Sequence, residues 1–158
     1  MVDFTVQEIT SDPTSGMLAA FKEYASVPDS SRDALLTTLL RTALLKVQEY
    51  ANRPLMGCKC RQIVTVPVDS GIVRLYLGGG TVVSIKDEIT GEDVPYDPLT
   101  GGRLLLYTRG RSVAITYTVA SSSPDVSRLT PVVYRYATAL YDGEDTEVLN
   151  GILNEALC

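Results

Sequence analysis

The sequence contains no histidine and no tryptophan. Without histidine, Ser-His-Asp and Cys-His catalysis, imidazole metal sites and a histidine pH switch are excluded. Cysteine is scarce and odd in number: Cys58, Cys60 and Cys158. Cys58 and Cys60 form a CxC, not a CxxC, and on a strand both would point to one face. A zinc site needs about four ligands, so these residues read as plain reduced thiols. An excess of basic charge is also missing. Lys plus Arg is 14 against 19 for Asp plus Glu, a net charge of −5, which argues against a free-standing nucleic-acid-binding module. Long apolar runs are absent. The most apolar stretch, Leu35 to Leu45, is broken by Thr37, Thr38 and Arg41 and falls short of the ~20 residues that span a bilayer. The start, MVDFTVQEITSD, lacks the charged-then-apolar pattern of a signal peptide. A soluble protein made in a cytoplasm, with no membrane partner, is expected.

What is present suits one folded domain. The chain has 158 residues, of which 45% are hydrophobic and 21% charged, a composition that folds. Mean hydropathy is +0.10, slightly high for a small soluble monomer, which favours some apolar surface buried against another chain.

Three textures follow one another. Met17, Leu18, Phe21, Tyr24 and Ala25 fall at helical spacing after the polar Asp12–Ser15. Val27-Pro28 ends that helix, because the residue before proline leaves the α region. Asp29 or Ser30 can cap a second helix, with Asp33 in its first turn. Its face carries Leu36, Leu39, Leu40, Ala43, Val47 and Tyr50, and Leu35, Leu44 and Leu45 widen the stripe. So wide a stripe predicts burial on two sides, within the fold or between subunits, with Leu36, Leu40, Leu44 and Val47 as the candidate inter-subunit face. Pro54 stops the helix near Asn52.

From about Cys60 to Ala120 short alternating β-branched runs are punctuated by Asp69-Ser70-Gly71, Gly78-Gly79-Gly80, Thr90–Asp93 and Thr108-Arg109-Gly110. That pattern predicts an antiparallel meander or sandwich. Ser121–Asp125 reads as a linker. Thr130-Pro131 reads as a helix start, and Gly143 as its left-handed cap. Val148, Leu149, Ile152, Leu153, Ala156 and Leu157 return to helical spacing, weakened by Gly151. The expected architecture is α+β in a single domain, residues 1–158. It is a helical bundle of an N-terminal helix pair plus C-terminal helices (12–53 and 130–157), with a small antiparallel sheet or sandwich inserted at about 60–120.

No residue pattern carries catalysis. Gly78–Gly80 lacks the GxxxxGK[ST] spacing of a phosphate loop and sits between strands. The pairs Asp87/Glu88, Glu92/Asp93 and Glu144/Asp145 lie in or beside turns, where solvated carboxylates are common, and no DxDxDG loop occurs. Arg103, Arg109 and Arg111 gather on neighbouring strand ends, where they fit phosphate, an acidic partner or plain solvent. The nine tyrosines suit an interface or an ordinary core. No enzyme activity, cofactor or metal is expected.

The order of elements carries a resemblance. PDSSRDALL precedes a long helix that ends in VQEYANRPL; a strand VAITYTVA precedes the helix TPVVYRYATALYDGE. From about Asp12 to Glu144 this resembles the head–tail connector (adaptor) proteins of tailed bacteriophages. The matching positions are Asp33, then Glu49, Tyr50, Arg53, Pro54 and Leu55, then Ile115, Thr116 and Tyr117, then Pro131 and Tyr141. The resemblance implies a ring of about twelve copies under the portal vertex, in the neck of a virion. Such a ring joins the portal protein to the tail or to a second neck ring. It encloses a passage for double-stranded DNA without reading its sequence, and the acidic balance would lower its grip. By the same resemblance, Leu149, Ile152, Leu153 and Leu157 would anchor the chain on the portal or a neighbouring subunit. Phe4, Val6 and Ile9 of the unmatched N-terminal arm would add a strand to a neighbour. Two other readings compete: a tail terminator or stopper of the same neck, and a monomeric protein-binding module with a small β-sandwich.

Overall fold

The structure is a computed structural model that describes residues 3–121 and 123–157, the side chains of Ser123 and Leu157 excepted. These residues form two compact units, a β unit of residues 3–11 and 57–120 and a helical unit of residues 12–56 and 121–157.

The β unit has seven strands: β1 (Asp3–Ser11), β2 (Gly57–Thr65), β3 (Ile72–Arg74), β4 (Thr81–Asp87), β5 (Tyr96–Leu99), β6 (Arg103–Leu106) and β7 (Ser112–Val119). One antiparallel sheet has the order β1-β2-β7-β4 and the other β3-β6-β5. Strand β7 buries Val113, Ile115, Tyr117 and Val119 and turns the residues between them outward, the period-two rule of a half-buried strand. These side chains share one core with Cys58 and Cys60 of β2, Ile85 of β4, Val73 of β3, and Leu104 and Leu106 of β6.

The expected helical bundle led by a helix pair is corrected here: the first element is a strand. Phe4 and Val6 alternate inward, and Gln7-Glu8 then breaks the alternation that would advertise a strand. A register shift between Val6 and Glu8 absorbs the extra residue and returns Ile9 to the half-buried side, as a β-bulge does. The arm pairs with β2 of its own chain, so the sheet is not solely an insertion between helices.

The helical unit contains α1 (Thr14–Tyr24), a 3₁₀ turn (Ser30–Arg32), α2 (Asp33–Ala51), α3 (Ser123–Tyr141) and α4 (Thr146–Leu157). Asp12 accepts the Thr14 N–H at 2.9 Å and opens α1. Asp29 accepts from the Ser31 N–H at 2.9 Å and opens the 3₁₀ turn. Asn52, with φ of 53°, closes α2 as a left-handed cap ahead of Pro54. Helix α3 begins at Ser123, not at Thr130. The presumed linker supplies its first turn, where Pro124 lacks a hydrogen bond it would not make anyway and Asp125 complements the helix dipole. Pro131 therefore lies inside α3, and the bond it forgoes is to the Ser127 carbonyl. Both residues are exposed, so water can take that carbonyl.

Two buried amides tie the chain together, one in each unit. Gln48 Oε1 accepts the N–H groups of Leu55 and Met56 at 2.8 and 2.9 Å, which turns the chain back after α2. Gln62 donates to the Arg74 carbonyl at 2.8 Å and accepts from the Tyr76 N–H at 2.9 Å, which fixes the segment after β3 onto β2. An apolar replacement strands those backbone groups. Gln62→Leu is expected to cost about 1–3 kcal/mol for the unmade bonds. It should lower the urea midpoint without changing the slope of the transition.

Candidate functional site

The apolar stripe of α2 is spent inside the chain. Leu36, Leu40 and Val47 are wholly buried and Leu44 nearly so, because α1, α3 and α4 all pack on α2. These residues have no surface left for another subunit, and the inter-subunit reading of this face is corrected. The C-terminal anchor is partly consumed in the same way. Ile152 and Leu153 are buried and Leu149 half-buried, while Val148 is exposed. The side chain of Leu157, and Cys158, lie outside the described residues. Phe4 and Val6 are half-buried against the core of the β unit, with the Phe4 ring 4.7 Å from that of Tyr76. β1 is an edge strand of its sheet, paired on one side with β2.

The three arginines do not form one cluster. Arg103 opens β6, and Arg109 and Arg111 follow its far end. Three residue steps separate the ends of β6, about 10 Å at 3.3 Å per step. Arg109 Nη1 donates to the carbonyls of Leu106 and Thr108 at 2.7 and 3.0 Å. Its guanidinium fills the space where a side chain on Gly71 would project, which explains a glycine with φ of +66° there. Arg111 Nη1 is 2.8 Å from Asp87 Oδ2. Arg103 keeps to itself, donating to the Thr100 carbonyl at 3.0 Å.

Asp87 organises the turn after β4. Besides Arg111 it accepts the N–H groups of Ile89 and Thr90 at 2.9 and 3.0 Å. The Arg111 hydrogen bond, followed by these two, pulls its carboxyl down to about 2. The turn it braces presents Ile89, which is 87% exposed. Val68, 76% exposed, follows β2, and Tyr107, 58% exposed, follows β6. Strands β2, β4 and β6 end, and β7 begins, at the same end of the unit. That end presents turns and bends tipped with exposed apolar side chains. Sequence reading missed it because Val68 and Ile89 sit within turn motifs, PVDSG and DEITG. An apolar residue inside such a motif has no core to reach, and that was the available signal.

The thiols of Cys58 and Cys60 face each other at 3.3 Å, wholly buried. The hydrogen bond from Cys58, with burial, raises the Cys60 thiol far above its ordinary range, so it stays protonated. Among the described residues, no group of three or more His, Cys, Asp or Glu is placed to hold a metal ion. A groove of about 750 Å³ runs along α1 and the segment after it, lined by Leu18, Ala19, Val27 and Pro28. Lys22 Nζ and Asp33 Oδ1 pair at 2.8 Å on its rim, off the hydrogen-bonding direction.

No family model and no curated protein matches the sequence. Solved structures do match. A chain in the neck of an empty gene transfer agent (GTA) particle, computed with C6 symmetry, aligns with a TM-score of 0.64 at 17% identity. The alignment covers 99% of this chain and 94% of that one. A chain in the neck of the native GTA particle, computed with C12 symmetry, gives 0.59 at 16% identity over 96% and 94%. A chain of the native GTA virion gives 0.59 at 18% identity over 90% and 84%. The fold is shared with neck chains. Helical and β parts both fall within the alignment, since nearly the whole chain is covered.

The depressed Asp87 carboxyl makes an acid-side prediction. Its ordinary value is about 3.9, so the ionised form favours the folded turn. That contribution is complete above about pH 4 and is lost as pH falls through about 2. Asp87→Asn should flatten part of the fall in melting temperature between those two values. An acid limb identical to that of the native chain would show that the turn does not depend on this carboxylate.

Proposed function

We propose that this chain is a structural subunit of a ring in the neck of a tailed-phage-type particle. The ring joins the capsid portal to the tail, borders the DNA passage and performs no catalysis. The observation that carries the reading is the shared fold with GTA neck chains over 99% of the sequence. Likeness to chains in necks of C6 and C12 symmetry supports a closed ring with head-to-tail contacts. The order of sequence motifs shared with phage connectors points the same way. Several features favour a partner-dependent assembly over a large hydrophobic one. The apolar stripe of α2 is already used within the chain, and the three most exposed apolar side chains, Ile89, Val68 and Tyr107, stand on turns and bends after β4, β2 and β6. Such tips suit docking into pockets of a neighbour or of the portal.

Mass measurement and negative-stain imaging, with and without the portal of the same particle, test the reading. Twelve copies of a 17.1 kDa chain give a ring of about 205 kDa. Ile89→Asp should weaken ring formation or portal binding by tenfold or more and leave the monomer folded, since Ile89 touches no core. A monomer at every concentration that also ignores the portal, or a purified protein that turns over a substrate, would overturn the proposal.

A further inference from the structure

The two ends of the β unit differ in charge. At the end away from the Asp87 turn, Arg74 of β3 and Arg103 of β6 are register partners. Both are exposed and project from the outer face, because Val73 and Leu104 beside them point into the core. Like charges directly opposed on a sheet destabilise it unless something answers them. Among the described residues neither arginine has a carboxylate within ion-pairing distance. The backbone of Arg74 is held through its carbonyl by the buried Gln62.

The surroundings leave this pair open. The Gly78–Gly80 loop and the Gly101-Gly102 turn meet beside it; a side chain on Gly102 would come within 2.7 Å of the Gly78 carbonyl carbon. Five glycines thus carry no side chain that could shield the arginines. The chain has no Asp or Glu from 70 to 86 or from 98 to 124. Asp97, on the same face, is two residues along β5 from Leu99, the register partner of Arg103, and accepts the Tyr107 hydroxyl.

We infer that this end of the β unit meets the DNA. Arg74 and Arg103 take phosphate oxygens of the duplex backbone, and the glycine loops let the backbone pass close by. Guanidinium forks match phosphate oxygens, and the contact carries no sequence information. A protein partner would want a buried apolar anchor, and the most exposed apolar side chains, Ile89, Val68 and Tyr107, are at the opposite end. Two cations on a chain of net charge −5 make a weak contact that can be released as the duplex moves. The inference rests on the neck-ring reading for its setting, though the contact can be measured in any assembly state.

Fluorescence anisotropy of a labelled random-sequence duplex, titrated with the full-length protein over a range of salt, tests it. The mass of the protein is recorded on the same samples, so failure of the ring and failure of this contact are separate results. Native protein should bind at low salt and release as salt rises. R74A/R103A should lower the slope of log affinity against log salt by about 1.8 per bound subunit, ~0.9 for each phosphate contact. R74K/R103K should keep most of that slope. Both positions are exposed, and unchanged melting curves would show that the variants fold. Native protein that ignores the duplex, or a double-alanine variant with an unchanged salt slope, overturns the inference. A double-alanine variant whose mass falls while duplex binding persists overturns it too, since the pair would then be a subunit contact.

Discussion

The eight register pairs between β2 and β7, unbroken from Cys58↔Val119 to Thr65↔Ser112, are what the β unit is built upon. Every other strand of that sheet attaches to this pair, β1 on the free side of β2 and β4 on the free side of β7. A slip of one residue would turn Val113, Ile115 and Tyr117 out to solvent and polar neighbours into the core. The same ladder sets where the chain leaves for its helices, since α2 feeds β2 through Gly57 and β7 feeds α3. It also carries Gln62, whose amide seats the segment that bears Arg74. The placement of the surface charge thus descends from the central pairing.

The helical unit shows how a surplus of apolar residues need not mean a large apolar interface. A helix with a stripe as wide as that of α2 must be covered on more than one side. Helices α1, α3 and α4 of the same chain do the covering. The most exposed apolar side chains, Ile89, Val68 and Tyr107, stand on turns and bends of the β unit. For a ring subunit this division is physically reasonable. In the proposed ring each chain would fold by itself, and assembly would rest on small contacts repeated around an axis.

Charge is distributed with a similar economy. In the β unit Asp87 answers Arg111, Glu88 answers Arg61 and Arg109 is bound to carbonyls. Arg74 and Arg103 have no carboxylate partner among the described residues, and they sit where side chains are smallest. In the proposed neck ring, an acidic chain with one small cationic end would suit a passage that DNA must traverse and leave.

Much of the architecture was legible in the residues. The spacing of Leu36, Leu40 and Val47, the Asn52–Pro54 stop and the strict alternation of β7 are local signals that the fold obeys. The opening strand was obscured because a bulge at Gln7 breaks the period by which strands are read. Helix α3 begins early because Ser123-Pro124-Asp125 suits a linker and a first helical turn equally. The candidate surfaces were least legible. Outward alternation put Arg74 on the surface, but only the antiparallel register set it opposite Arg103. Equally, sequence proximity grouped Arg103 with Arg109 and Arg111, and the length of β6 parted them. Sequence by itself determined which residues must be buried and where helices and turns must end, because those depend on near neighbours along the chain. Tertiary structure alone decided what covers the α2 stripe and which charges share a face, because strand register and helix packing join residues that the chain keeps far apart.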